Sequence, residues 1–350
     1  MADNARPTRM STITDVAREA GVSVATVSRA LRGLDRVSPE TRERVLKVAA
    51  ELDYVASPTA TSLASGRTQV VGVVAPFLTR WFFASLVSSI EKALRKESHH
   101  VLLFDLEDES YDTRVELNQN LLWRRVDGVI TLNLPMTDSE LDLLDKLELP
   151  AVAIGTPVPG YPIIRIDDAG AMRTATQHIL DLGHREIAYI GAVPDNVAHV
   201  LTPRGRRDAF VSALTDAGVE VHQDWILACD WTADAAFEHT TALLESGARP
   251  TALIAASDEM ALGAWKAAAA QGLSVPDDIS VVGFDDHYLS KVMGLTTVGQ
   301  DVQVQGEQAA QLLLDTLVRG KSADPSVDVV IPTELVVRAS TGAPRAPNAD

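Results

Sequence analysis

Bond-making chemistry has few candidates in this chain. Its eight histidines include no HExxH pair, and none is spaced to share a metal with the single cysteine, Cys229. No phosphate-cradling Walker loop, no G-x-G-x-x-G and no G-x-S-x-G nucleophile turn occurs; Gly21-Val-Ser23-Val-Ala25 only approaches the last. A catalytic site assembled from distant residues is the weaker expectation, so no catalytic residue, metal or cofactor is assigned. The spacing that does point to chemistry lies in Thr12 to Leu31, TITDVAREAGVSVATVSRAL, and that chemistry is non-covalent. It reads as two short helices around a tight turn, a helix-turn-helix whose second helix enters the DNA major groove, although spacing alone also fits any small helical hairpin.

The elements that would hold this stretch are legible locally. Thr12 is a good N-cap, with Asp15 three residues on to complete a capping box. Ile13, Val16, Ala17 and Ala20 form one apolar face, and Gly21 stands where a chain leaving a helix needs positive φ. Ser23 caps a second helix with Val24, Val27, Ala30 and Leu31. Ser38-Pro39-Glu40 then opens a third helix striped by Val45, Val48, Ala49 and Leu52. The expected core of the bundle is Val16, Val27, Leu31, Val45 and Leu52. Ser57-Pro58 repeats the cap-plus-proline signature before a helix of barely two turns, too short to be stable unpacked.

At 350 residues the length suggests two or three domains, and 46% apolar against 23% charged residues indicates a globular chain rather than a disordered one. No run approaches the roughly 18 to 20 apolar residues of a membrane span, and the N-terminus has no secretory h-region. One cysteine excludes an intrachain disulfide framework and fits a reducing cytoplasm, the expected location. The net charge of −17 is unevenly divided: residues 1–68 carry 10 Lys/Arg against 8 Asp/Glu, and the remainder 21 against 40. Screening confines exposed charges to about 8–10 Å, so a mildly basic head on an acidic body can still bind DNA, and the body repels non-specific sites.

From Val70 strands and amphipathic helices alternate. VVGVVAP, VLLFDL, GVITL and AVAIG form one series; EIAYIGA, a strand near Ile226, ALIAA and SVVGF form a second, beginning near Asp168. Such alternation implies parallel sheets sandwiched by helices, here in two similar lobes, with a crevice at the carboxyl ends of the strands. The segment after Leu295 reads as a helix (303–319) returning to the first lobe, then a last strand near 334–338.

These segments closely resemble the lactose/galactose repressor family of bacterial transcription factors. The resemblance rests on the helix-turn-helix stretch, VSPETRERV, LDYVASPTATSLASGRT, VVGVVAP…FFASLVSSIEKA, LGHREIAYIG, LIAASDEMALGA and DISVVGFDD…LTTVGQD, in family order over nearly all of 12–340. It implies a small all-α helix-turn-helix headpiece and hinge helix, then a two-lobed α/β core like that of periplasmic binding proteins, with two doubly wound parallel sheets. The expected divisions are a disordered arm (1–11), headpiece (12–56), hinge helix and linker (57–68), first lobe (69–168 plus 298–327), second lobe (169–297 plus 328–340) and mobile tail (341–350). The implied function is a ligand-responsive regulator, a repressor, acting as a homodimer on a palindromic double-stranded DNA operator. A secreted sugar-capture protein would share the core but would need a signal peptide and have no use for residues 12–68.

By this resemblance Val24, Ala25 and Arg29 read bases: arginine forks to guanine O6 and N7, and small apolar side chains suit thymine methyls. Plain helix propensity also accounts for Val24 and Ala25. Thr12, Thr14, Ser23, Thr26 and Ser28 sit where hydroxyls and helix N-termini meet phosphates. Leu63 matches the residue the family wedges into the minor groove at the operator centre; packing against a partner's hinge is the alternative. Ser57 stands, after Ala56, where the family has Pro-Asn, which alters the hinge's polar contacts.

Arg204, Trp231 and Asp285 match positions that hold the small-molecule effector, a sugar or sugar derivative. Tryptophan offers a flat apolar face, while Arg and Asp fork to vicinal hydroxyls. Core packing for Trp231 and a surface ion pair for Arg204 are the plainer alternatives. Ser257 stands where sugar-responsive members carry Asn, and Asp258 is expected to cap the following helix. The largest departure replaces Asp-x-x-Asn-Pro with Phe77-Leu78-Thr79-Arg80-Trp81, followed by Phe82. Either Phe77, Arg80, Trp81 and Phe82 suit a larger, more apolar or partly anionic effector, or Arg80 and Trp81 face the lobe interface and bind nothing.

Overall fold

In a computed structural model, residues 11–55, 66–76, 78–106, 115–192, 201–321 and 324–345 are described. They fall into two compact units, Met1–Thr68 and Gln69–Asp350.

The first unit is a bundle of α1 (Ile13–Ala20), α2 (Val24–Leu31) and α3 (Pro39–Glu51). The local signals act as the sequence indicates. Thr12 Oγ1 accepts the Asp15 N–H while Asp15 Oδ2 accepts the Thr12 N–H, a closed capping box. Gly21 ends α1 at φ +65°, and Ser23 and Ser38 cap α2 and α3. The packed centre differs from the expected set. Val16, Val27 and Val45 are fully buried among Ala17, Ala20, Ala30 and Ala49, whereas Leu31 and Leu52 lie half-buried at the rim. Helices this short meet closely only where side chains are small, so alanines take the middle and leucines cover the edges.

The second unit holds two six-stranded sheets. The strands of the first are β1 (Val70–Ala75), β2 (His100–Asp105), β3 (Gly128–Leu132), β4 (Ala151–Ile154), β5 (Ile163–Arg165) and β11 (Asp328–Val330), in the order β11-β5-β4-β3-β1-β2. The second contains β6 (Ile187–Ala192), β7 (Ile226–Ala228), β8 (Ala252–Ala255), β9 (Ser280–Asp285), β10 (Thr296–Gln300) and β12 (Thr333–Val336), in the order β12-β10-β9-β8-β6-β7. Every pairing is parallel except β10 with β12. Around the first sheet run α4 (Trp81–Lys96), α5 (Gln119–Leu122), α6 (Asp138–Lys146) and the late helix α12 (Val302–Leu317), which packs along α4. Around the second run α7 (Asp168–Asp181), α8 (Leu201–Asp216), α9 (Ala233–Glu245), α10 (Asp258–Ala270) and α11 (Tyr288–Met293).

Two details depart from expectation. Strands β5 and β11 are only three residues each and β10 reads TTVGQ, so only their ladder bonds reveal them. Because β10 pairs with β9 and β11 with β5, the chain re-enters the first lobe after Gln300 and leaves it after Val330. The boundaries expected at 297/298 and 327/328 each shift by three residues. A two-pronged ion pair, Arg165 Nε and Nη2 to Asp328 Oδ1 and Oδ2 at 2.9 Å each, staples β11 to its neighbour.

Residues 341–345, expected to be mobile, are tied to the second lobe. The Gly342 N–H donates to Ser280 Oγ at 3.0 Å, and its carbonyl lies 2.8 Å from His184 Nε2. Thr341 Oγ1 is 3.0 Å from His178 Nε2, and Arg345 pairs with Asp278 at 2.6 Å. A Pro/Ala-rich composition gives no sign of this, because the partners come from far along the chain.

Candidate nucleic-acid interface and interlobe cleft

Helix α2 turns Val27 and Ala30 inward, which leaves Val24, Ala25 and Arg29 together on the opposite, exposed face. Val24 is 42% exposed although apolar. Arg29 makes no side-chain hydrogen bond or ion pair among the described residues. Ser23 Oγ accepts the Thr26 N–H at 3.1 Å and lies 2.9 Å from Thr26 Oγ1. Its capping role is therefore real and leaves both hydroxyls on the surface side of the helix start. Thr12 is committed to the capping box, Thr14 is exposed and Ser28 is half-buried. Ser57 and Leu63 lie outside the described residues, as does Phe77.

In the core, the carboxyl ends of the second-lobe strands gather a buried polar cluster around Arg206. Its Nε donates to Asp168 Oδ1 at 2.8 Å and its Nη1 to the Ala256 carbonyl at 2.6 Å. The guanidinium lies over the Phe284 ring at 3.5 Å and 5.8 Å from the Trp231 ring centre, and Nη1 stands 3.8 Å from Asp285 Oδ1. Asp285 in turn accepts from Gln300 Nε2 at 2.6 Å, and Gln300 Oε1 accepts from Gln305 Nε2 of the first-lobe helix α12 at 3.1 Å. Burial pushes the Asp285 carboxyl up to about 8 against the pull of Arg206. Its backbone sits at φ +117° and that of Asp286 at +56°. Strain of this kind costs a side-chain-bearing residue about 1–3 kcal/mol and concentrates at ligand sites.

The sequence reading selects Arg204, yet Arg206 forms these bonds. Two positions along a helix rotate a side chain by about 200°, so the two arginines project differently. Arg206 shares a face with the buried Ala209, Phe210 and Ala213, and that periodicity was the available signal. Trp231 is half-buried with its ring N–H donating to the Gly191 carbonyl at 3.0 Å, which presents the indole beside the cluster rather than deep in the core.

Ser257 is the N-cap of α10, accepting from the Met260 N–H. The cap expected of Asp258 is therefore Ser257's. Asp258 instead accepts the His287 N–H at 2.7 Å and the hydroxyls of Ser290 and Thr297 at 2.6 Å each, binding the turn after β9 to β10. Burial holds its carboxyl up at about 6.

From the first lobe, Arg80 donates to the Trp231 carbonyl, and the Trp81 ring packs edge-on against His287 with centroids 4.9 Å apart. Phe82 lies half-buried, edge-to-face with Phe83 at 5.3 Å. A residue that sequence reasoning missed, Asn133, follows β3 with its Oδ1 buried and without a hydrogen-bond partner among the described residues; Thr131 Oγ1 is in the same state. Asn133 packs so closely on Gly155 that a Cβ there would lie 1.4 Å from Oδ1. Cys229 is buried with its thiol pushed up to about 11, chiefly by burial, and so is protonated rather than a nucleophile.

Residues 12–57 match the family described as bacterial regulatory proteins, lacI family, and residues 176–341 match the periplasmic binding protein-like domain. Catabolite control protein A of Priestia megaterium is 35% identical over 94% of this chain and 99% of its own length. The transcriptional regulator CelR of Thermobifida fusca is 34% identical over 95% and 98%. Among solved structures, the lac repressor dimer bound to operator and an anti-inducer is 30% identical, with a TM-score of 0.80 over 96% of this chain and 100% of that one. A CelR–cellobiose complex is 32% identical, with a TM-score of 0.68 over 94% and 99%.

Proposed function

The chain belongs to the lacI family of bacterial regulatory proteins, a DNA-binding transcription regulator and not an enzyme, and from that premise we propose how it works. Two copies grip a palindromic operator and repress transcription, and a sugar or sugar derivative bound between the core lobes alters the grip. The observation that carries the DNA half is the exposed Val24–Ala25–Arg29 face, with its unengaged guanidinium flanked by hydroxyl-capped helix starts. Such a face reads base edges while Thr12, Thr14, Ser23, Thr26 and Ser28 meet phosphates. Residues 57–68 act as a hinge with Ser57 at its start, and Leu63 wedges into the operator centre. The effector half is supported by Arg206, Asp285 and Trp231, gathered in one cluster at the carboxyl ends of the second-lobe strands. It also has support from relatives: CelR was solved with cellobiose, and a family regulator from Enterococcus faecium, 27% identical, with ribose.

A ligand touching both lobes shifts the closed–open balance only by its difference in affinity for the two states, and closure repositions the first lobes that carry the hinges. Among the described residues no helix is long and apolar enough to cross a membrane, and a DNA-binding role places the protein in the cytoplasm. The test is footprinting of the full chain on palindromes upstream of its own gene. Protection that survives excess competitor at moderate salt and changes with an added sugar is expected. Equal binding to all fragments, or a monomer at micromolar concentration, would overturn the reading.

A further inference from the structure

We infer that Arg80 and Trp81 form a latch that ties the two core lobes together through the protein's own groups. Helix α4 begins with an arginine at the N-cap, and no side chain of its own segment caps it. Burial raises the carboxyl of Glu259, in the first turn of α10, and the nearby Arg80 charge and Trp81 amide oppose that rise. Arg80 also donates to the Trp231 carbonyl, and the Trp81 indole rests on His287 at 4.9 Å. One dipeptide of the first lobe thus engages two stretches of the second, those around Trp231 and His287.

These contacts join the lobes through the protein's own groups, so an effector that draws Arg80 from the Trp231 carbonyl competes with the latch. The inference stands on the core alone and holds whichever operator or effector the chain takes.

The test is hydrogen–deuterium exchange on the ligand-free full chain. Replacing Arg80→Ala is expected to raise exchange roughly tenfold, the loss of one charge-assisted bond, in residues 80–84 of the first lobe. The same rise is expected in 229–233 and 286–290 of the second. Trp81→Ala should do the same, and the double variant should do little more than either alone. Solution scattering should show a larger radius of gyration for each variant. If Arg80→Ala does not fold, Arg80→Lys, which keeps the charge but not the reach, gives a smaller rise in the same segments. Exchange that rises only within 80–84, or an unchanged radius with unchanged exchange, overturns the latch. Failure of footprinting with these exchange results intact would sink the DNA reading and leave the latch standing.

Discussion

Arg206 stands 3.8 Å from the carboxylate of Asp285 and spends its closer bonds elsewhere, on Asp168 and the Ala256 carbonyl. The pair is therefore a positioned charge beside an acid only partly neutralised by it. A ligand hydroxyl could insert between such groups with little rearrangement, and the cluster must survive without one.

Removing Arg206 should be severe. Arg206→Leu leaves the Asp168 carboxylate without its cation and the Ala256 carbonyl without its donor, and breaking such a buried pair costs about 3–5 kcal/mol. Denaturant unfolding of the full chain should show that loss. Adding Asp285→Asn should recover part of it, and strictly additive effects would mean that the two residues do not interact.

Asp285 should also impose a pH dependence. Its folded-state pKa, about 8, lies above the ordinary 3.8, so the fold keeps a proton that the unfolded chain releases. Stability from this group therefore falls as pH rises from about 4 to about 8 and then levels, with a slope of at most about 1.4 kcal/mol per pH unit. Asp258, at about 6, acts in the same direction over a narrower window. His178, His184 and His287, held below their ordinary range by burial, act oppositely, favouring the fold as pH rises to 6.5. The difference between wild type and Asp285→Asn isolates the one carboxyl: the variant's unfolding free energy should fall less between pH 5 and 8. Parallel profiles would contradict the assignment.

At the DNA face, Arg29→Ala should relax base preference at one guanine in each half-site by about 1–3 kcal/mol. Because Arg29 is exposed, the melting temperature should hardly move. Titration against operators substituted at each position measures both, and an unchanged preference would remove Arg29 from the reading set.

The C-terminal segment should be structural. Deleting 341–350 removes the partners of His178, His184, Ser280 and Asp278, at about 1 kcal/mol per net hydrogen bond. A loss of about 2–4 kcal/mol in second-lobe stability is expected, with faster amide exchange at Ser280–Val282. A deletion without effect would show these bonds to be unimportant in solution.

Much of this architecture is readable from the chain alone because its causes are local. The Thr12–Asp15 capping box, the Gly21 turn, the Ser23 and Ser38 caps and the face of α2 are set by residues three or four apart. Long apolar strands such as Val70–Ala75 declare a two-sided buried sheet by composition. What the tertiary structure decided lies between distant residues. It joined Arg206 to Asp168 and the Ala256 carbonyl, gave the α10 cap to Ser257 and freed Asp258 to tie another turn. It also added three strands too short or too polar to declare themselves, fastened the tail, and carried Arg80 across to a carbonyl 151 residues away. Local pattern records which face of an element is buried; which polar groups meet there depends on how separate elements are brought together, and no spacing along the chain encodes that directly.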